Sequence, residues 1–157
     1  MIRQIDFENL KIVHELYNLQ KISYQIEAEL IRFFEIPALK ESFKEFMECA
    51  EVFFGYFEEG QLVGAVSYEL EGGKLTICRM VVHPEHFRKG IAGRLILFLE
   101  ERFPDIDVFS VSTGKDNLPA KTLYLKNGFL LVQDLEVVPG LFISCFEKRK
   151  SIRPNNA

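Results

Sequence analysis

Two stretches of the 157-residue chain carry residue types at spacings suited to chemistry. In the first, Phe87-Arg88-Lys89-Gly90-Ile91-Ala92-Gly93 follows the apolar run Met80-Val81-Val82 and the turn residues His83-Pro84. This order reads as a strand that feeds a helix through a small-residue loop. The first four N–H groups of a helix have no partner within it, and the helix dipole adds partial positive charge there. Gly90, Ala92 and Gly93 let a phosphate approach that backbone, while Arg88 and Lys89 add mobile cations. Phosphate binding is the chemistry suggested; a tight turn with solvated basic residues is the plainer alternative. Neither G-x-G-x-x-G nor G-x-x-x-x-G-K-[ST] occurs, which argues against NAD and ATP.

The second stretch runs from Asn117 to Phe129. Asn117 suits a helix N-cap, Pro119 fits the first turn, and Gly128 can close the helix in a left-handed conformation. Ala120, Leu123 and Tyr124 then share one face, turned toward a core. Taken alone, Tyr124 is a core tyrosine with a locally satisfied hydroxyl.

The elements that must position these stretches follow from hydrophobic periodicity. A first strand covers roughly residues 2–6, and helices are predicted over 8–20, 23–34 and from Pro37, where Leu39, Phe43, Phe46, Met47 and Ala50 repeat at helical spacing. Strands follow at 52–57, 62–70 and 75–82, joined by turns at Glu58-Glu59-Gly60 and Gly72-Gly73. The third has apolar residues on both faces and belongs in mid-sheet. A helix over 90–103, a strand over 106–112, a helix over 118–127 and two strands over 129–137 and 141–147 complete the order. The result is a single α+β domain over residues 1–150, with a mixed α/β sheet and the order β-α-α-β-β-β-α-β-α-β-β. A polar tail, 151–157, follows.

Bulk properties narrow the partners. The net charge of −4, with both signs spread along the chain, argues against nucleic acid. Cys49, Cys78 and Cys145 are widely separated and odd in number, which disfavours a disulfide framework or zinc site and fits a reducing cytoplasm. The first ten residues lack the apolar stretch of a signal peptide, and no run approaches the ~20 apolar residues of a membrane span. The expectation is a cytoplasmic protein with no membrane partner. His83 and His86 have no third ligand nearby, so no metal is expected.

Taken together, the two stretches resemble the GNAT superfamily of acetyl-CoA-dependent N-acetyltransferases. The family's loop [Q/R]-x-x-G-x-[G/A] is matched at Gly90 and Ala92, with Phe87 at the Gln/Arg position. The pattern N-x-x-A-x-x-[LF]-Y-x-[KR]-x-G-F is matched throughout, from Asn117 to Phe129. The resemblance covers the C-terminal half and implies a GNAT-like fold in which the strands ending near Val82 and Ser112 splay apart. It implies acetyl-CoA as co-substrate, with pyrophosphate at Arg88, Lys89, Gly90, Ile91, Ala92 and Gly93. It further implies pantetheine contacts from Met80, Val82 and Asn117, an oxyanion-stabilising backbone N–H at Val81, and Tyr124 as general acid toward the leaving thiolate.

The acceptor implied is a primary amine, on a small molecule or a peptide, attacked directly within a ternary complex. The position where some relatives carry a basic Glu falls on Thr76, which cannot serve. Glu27, Glu29, Glu35, Glu69 and Glu71 read as solvated surface charges, so no base is assigned. Phe33, Phe34, Ile36 and Pro37 fall where the family's substrate lid lies. Phe87 and the missing strand Glu leave a second reading open, a non-catalytic acyl-CoA sensor or interaction module. Dimerisation through the closing strands is compatible with the fold.

Overall fold

The computed structural model describes residues 1–150; the expected polar tail lies outside the described residues. The strands are β1 (Ile2–Gln4), β2 (Val52–Glu58), β3 (Gln61–Glu71), β4 (Lys74–Val82), β5 (Val108–Gly114), β6 (Leu130–Val138) and β7 (Leu141–Arg149). The helices are α1 (Leu10–Ile31), α2 (Pro37–Lys40), α3 (Phe43–Met47), α4 (Ile91–Arg102) and α5 (Leu118–Lys126). The strands form one sheet in the order β1-β2-β3-β4-β5-β7-β6, in which only β4 and β5 pair in parallel. This is the mixed α+β architecture expected from the sequence. The β2–β3 turn has positive φ at Glu59 and Gly60, the geometry that suits a two-residue hairpin.

Two expectations for the N-terminal third need correction. The two helices expected over 8–20 and 23–34 are one helix of 22 residues. Lys21-Ile22-Ser23 contains neither Gly nor Pro, so nothing interrupts the ladder between them. Conversely, the single helix expected from Pro37 is two short ones. Ser42 breaks it by forming a capping box with Glu45: its side chain accepts from the Glu45 N–H, and its own N–H donates to the Glu45 carboxylate.

Apolar residues bury on both faces of the sheet. On one, Ile91, Leu95 and Leu99 of α4 and Tyr124 of α5 pack over Leu75, Ile77, Phe109 and Phe146. On the other, Val13, Leu16 and Leu19 of α1 and Phe46 of α3 pack over Phe53, Ala65 and Val81. Gly64 lets α4 sit close to β3, since a Cβ there would lie 2.8 Å from Ile91. Strand β6 is one edge of the sheet, exposed along its whole length, and β1 is the other.

An ion-pair network fixes α1, α2 and α3 to the sheet. Arg79 of β4 donates to Glu41 (2.8 Å), Glu51 (3.0 Å) and the Gln20 side-chain amide oxygen (2.7 Å). Lys21 reaches the Ala38, Leu39 and Glu41 carbonyls, and the Tyr17 hydroxyl also donates to Glu41 O (2.7 Å). Burial alone would raise the Glu41 carboxyl, but the bonds from Arg79 and Gln20 outweigh it and hold the carboxyl below its usual range.

Candidate active site

The site originates in a bulge. Ser67 pairs with Arg79 and Tyr68 with Ile77, so Cys78 is one extra residue in β4. A bulge bends its strand and shifts the side-chain alternation by one. Ladder contact between β4 and β5 ends at the same place, with Ile77 opposite Val111 as the last pair. Beyond it the two strands part. The shifted alternation turns Met80 and Val82 onto the face that carries Tyr124, and Val81 onto the α1 face.

The parting frees backbone groups at the centre of the sheet. The His83 N–H donates to Val63 O (2.8 Å), so the two-residue alternation of an antiparallel ladder aims the Val81 groups at Ala65. Those of Met80 and Val82 point toward the gap. The oxyanion contact expected of Val81 therefore does not fit this register, whereas the contacts expected of Met80 and Val82 do.

Two cavities meet at the gap. The larger, about 640 Å³, is bounded by Met80, Val82, Phe87, Arg88, Gly90–Gly93 and one face of α5. Gly90 caps α4 with φ +77, and a Cβ there would meet nothing within 4 Å, so the helix N-terminus is open to a ligand. Arg88 also holds a left-handed φ of 65, uncommon for a residue with a side chain. Lys89 is turned aside, 3.1 Å from His86 Nδ1 and 3.8 Å from Glu58, and does not line the cavity as expected. Phe87, at the usual Gln/Arg position, lines the wall and is 46% exposed.

The smaller cavity, about 290 Å³, lies between α1, α2 and the parted ends of β4 and β5. Ile36 and Pro37 line it as expected, while Phe33 and Phe34 do not. Glu27, Met80, Asn117, Ala120 and Tyr124 line both cavities, so the two are joined at these residues. Asn117 caps α5 by accepting from the Ala120 N–H (3.2 Å), which leaves its amide nitrogen available. Tyr124 is 4% exposed and is wedged against Phe129 and Phe146. Burial, then the Glu27 carboxylate, push its phenol well above the usual range.

The remaining residues considered from the sequence fall elsewhere. Thr76 bonds Ser110 (3.0 Å) where β4 and β5 are still paired, and Glu29, Glu69 and Glu71 are exposed. Glu35 pairs with Lys40 at the surface. Glu27 was underestimated: it is partly buried, lines both cavities and accepts from Thr113 Oγ1 (3.3 Å). Nothing in its local sequence marks it, because its position depends on where a long helix crosses the sheet. Among the described residues no cluster of three His, Cys, Asp or Glu side chains could hold a metal. Among the same residues no helix is long and apolar enough to cross a membrane.

A parted parallel strand pair with a glycine-capped helix on one side and a buried tyrosine at the fork defines a known class of protein. Residues 13–129 match the Acetyltransferase (GNAT) family, and the chain belongs to it. It is 39% identical over 153 residues to the UPF0157 protein YqkA of Bacillus subtilis (strain 168), covering 96% of this chain. The chain spans only 45% of that relative's length. Among solved structures it is similar to the PaiA N-acetyltransferase of Thermoplasma acidophilum in complex with coenzyme A. That match has a TM-score of 0.77 and 21% identity, over 95% of this chain and 98% of the other. The ribosomal-protein-S18-alanine N-acetyltransferase of Escherichia coli matches with a TM-score of 0.75 and 14% identity, over 100% and 97%. At these identities the structural likenesses establish the fold.

Proposed function

We propose that the protein transfers an acetyl group from acetyl-CoA to a primary amine by direct attack within a ternary complex. The observation that carries this reading is the junction of the two cavities at Tyr124, on the line where β4 and β5 part. The larger cavity fits the coenzyme: an open helix N-terminus and Arg88 suit its pyrophosphate, and the free groups of Met80 and Val82 suit the amides of its arm. The Asn117 amide is placed to donate to the same arm. The smaller cavity then holds the amine on the other side of the thioester.

In this reading the Met80 N–H, turned toward the gap just beyond the fork, polarises the thioester carbonyl and supports the oxyanion. Tyr124 protonates the departing sulfur; its raised pKa keeps the proton in place at every pH of interest, and its fixed position supplies the efficiency that its weak acidity does not. The amine must lose a proton first, which for a lysine-like group at pH 7 costs about 4.6 kcal/mol. Cys78 also lines the acceptor cavity. Partial desolvation of this otherwise exposed residue, then Glu51 and Glu69, push its thiol up to about 12, which disfavours an acyl-cysteine route.

The test is calorimetric titration with acetyl-CoA, followed by thiol release across an amine panel with Tyr124→Phe alongside. Binding to both proteins, with turnover lowered about 100-fold in the variant, supports the reading. Binding without turnover on any amine points to the acyl-CoA sensor, and no binding of acyl-CoA removes both readings.

A further inference from the structure

We propose that the acceptor is a small amine with a single positive charge and an apolar body, and that Glu27 binds its ammonium and receives its proton. This rests on the acetyltransferase reading above and narrows its substrate class.

Charge in the acceptor cavity is confined to one place. Of all its lining residues, only Glu27 carries a formal charge at neutral pH. Among the described residues it joins no ion pair. Thr113 of β5 donates to its Oε1, which leaves Oε2 for another donor. The groups that face it are Tyr24 on its own helix, Thr113 on β5 and Tyr124 on α5, all neutral. A carboxylate at a cavity wall without a cationic partner favours a ligand that supplies one.

Much of the remaining lining is apolar, formed by Ile31 beside Glu27 and by Ile36, Pro37, Val137, Leu141 and Ile143. A volume near 290 Å³ holds about ten non-hydrogen atoms at the density of a liquid. A polyamine or aminoglycoside would bring further ammonium groups against that lining with no carboxylate to meet them. A free amino acid would bring a carboxylate toward Glu27. An apolar monoamine has neither fault.

The proton inventory closes. One proton of the bound ammonium passes to Glu27, freeing the nitrogen lone pair. The nitrogen attacks the acetyl carbon, the C–N bond forms and the C–S bond breaks, and Tyr124 gives its proton to the sulfur. The surplus proton on nitrogen passes to the Tyr124 phenolate, and the proton on Glu27 leaves to water. Ammonium and thioester become amide, thiol and one released proton.

The experiment compares 2-phenylethylamine and pentylamine with spermidine and an aminoglycoside as acceptors for wild type, Glu27→Gln and Glu27→Asp. Calorimetry of acetyl-CoA, and of the quaternary analogue butyltrimethylammonium, accompanies it. The expected result is a kcat/KM for the monoamines about 100-fold above the polycations, lost about 100-fold in Glu27→Gln and partly restored in Glu27→Asp. The quaternary analogue should bind about tenfold more weakly to Glu27→Gln, while acetyl-CoA affinity stays within about threefold of wild type. A preference for the polycations, or quaternary binding indifferent to Glu27→Gln, overturns the proposal while acetyl-CoA binding leaves the parent reading standing. Loss of acetyl-CoA binding in the wild type removes the parent reading itself.

Discussion

At the fork, Tyr124 is held by its aromatic neighbours and its phenol keeps its proton. The Cys78 thiol, which lines the smaller cavity, is likewise pushed toward its protonated form. Cys78→Ser is therefore expected to keep kcat within about threefold, whereas an acyl-cysteine route would lose it by several orders of magnitude; steady-state thiol release decides. Arg88 has a left-handed backbone that a glycine adopts without strain. Arg88→Gly should leave the melting temperature unchanged or raise it, by a relief of about 1 kcal/mol, while weakening acetyl-CoA binding through the lost cation. Thermal unfolding and calorimetry on the same sample test both halves.

Helices α1, α2 and α3 form a roof whose apolar packing on the sheet is supplemented by a polar connection through Arg79. Its guanidinium side chain is 11% exposed and joins residues from α1 and from the segments flanking α3. Arg79→Ala strands two partly buried carboxylates and should cost about 3–5 kcal/mol, measurable by urea unfolding. The Glu41 carboxyl is held below its usual value, so it binds fewer protons folded than unfolded near pH 4. Stability from this pair is fully present above the unfolded carboxylate pKa and is lost as pH falls below it. Unfolding free energies measured between pH 6 and pH 3 should fall more steeply for wild type than for Arg79→Ala.

The same elements show what the sequence made legible. The C-terminal half was readable because each position there answers a local demand: Gly90 opens a helix, Asn117 caps one and Tyr124 lies on its inner face. The roof was misread in two opposite ways. Periodicity over 37–50 concealed the capping break at Ser42, and the boundary expected between 20 and 23 is one that no residue there enforces. Two features of the site could not be read locally at all. The bulge at Cys78 exists only relative to β3, and the placement of Glu27 depends on the path of a helix across the sheet. The register beyond that bulge, which aims the Val81 backbone at β3 and that of its neighbours at the gap, was equally invisible in the local sequence.

At the scale of the whole molecule, the sheet is interrupted at its middle while its edge strand β6 runs full length. In most sheets solvent exchanges amide hydrogens from the margins inward, because central strands are paired on both sides. Here the order is expected to be inverted at two positions: the Met80 and Val82 amides, at the geometric centre, should exchange faster than those of Ile77 and Val81, which are paired. A pantetheine arm lying in the fork would complete the missing ladder, so acetyl-CoA should slow exchange at these two central amides more than anywhere outside the glycine loop. Hydrogen–deuterium exchange followed by NMR, with and without acetyl-CoA, reads this directly, and uniform protection across β4 in the free protein would contradict it. The molecule would then be a sheet finished by its substrate, in which turnover repeatedly supplies and withdraws the strand that the sequence leaves out.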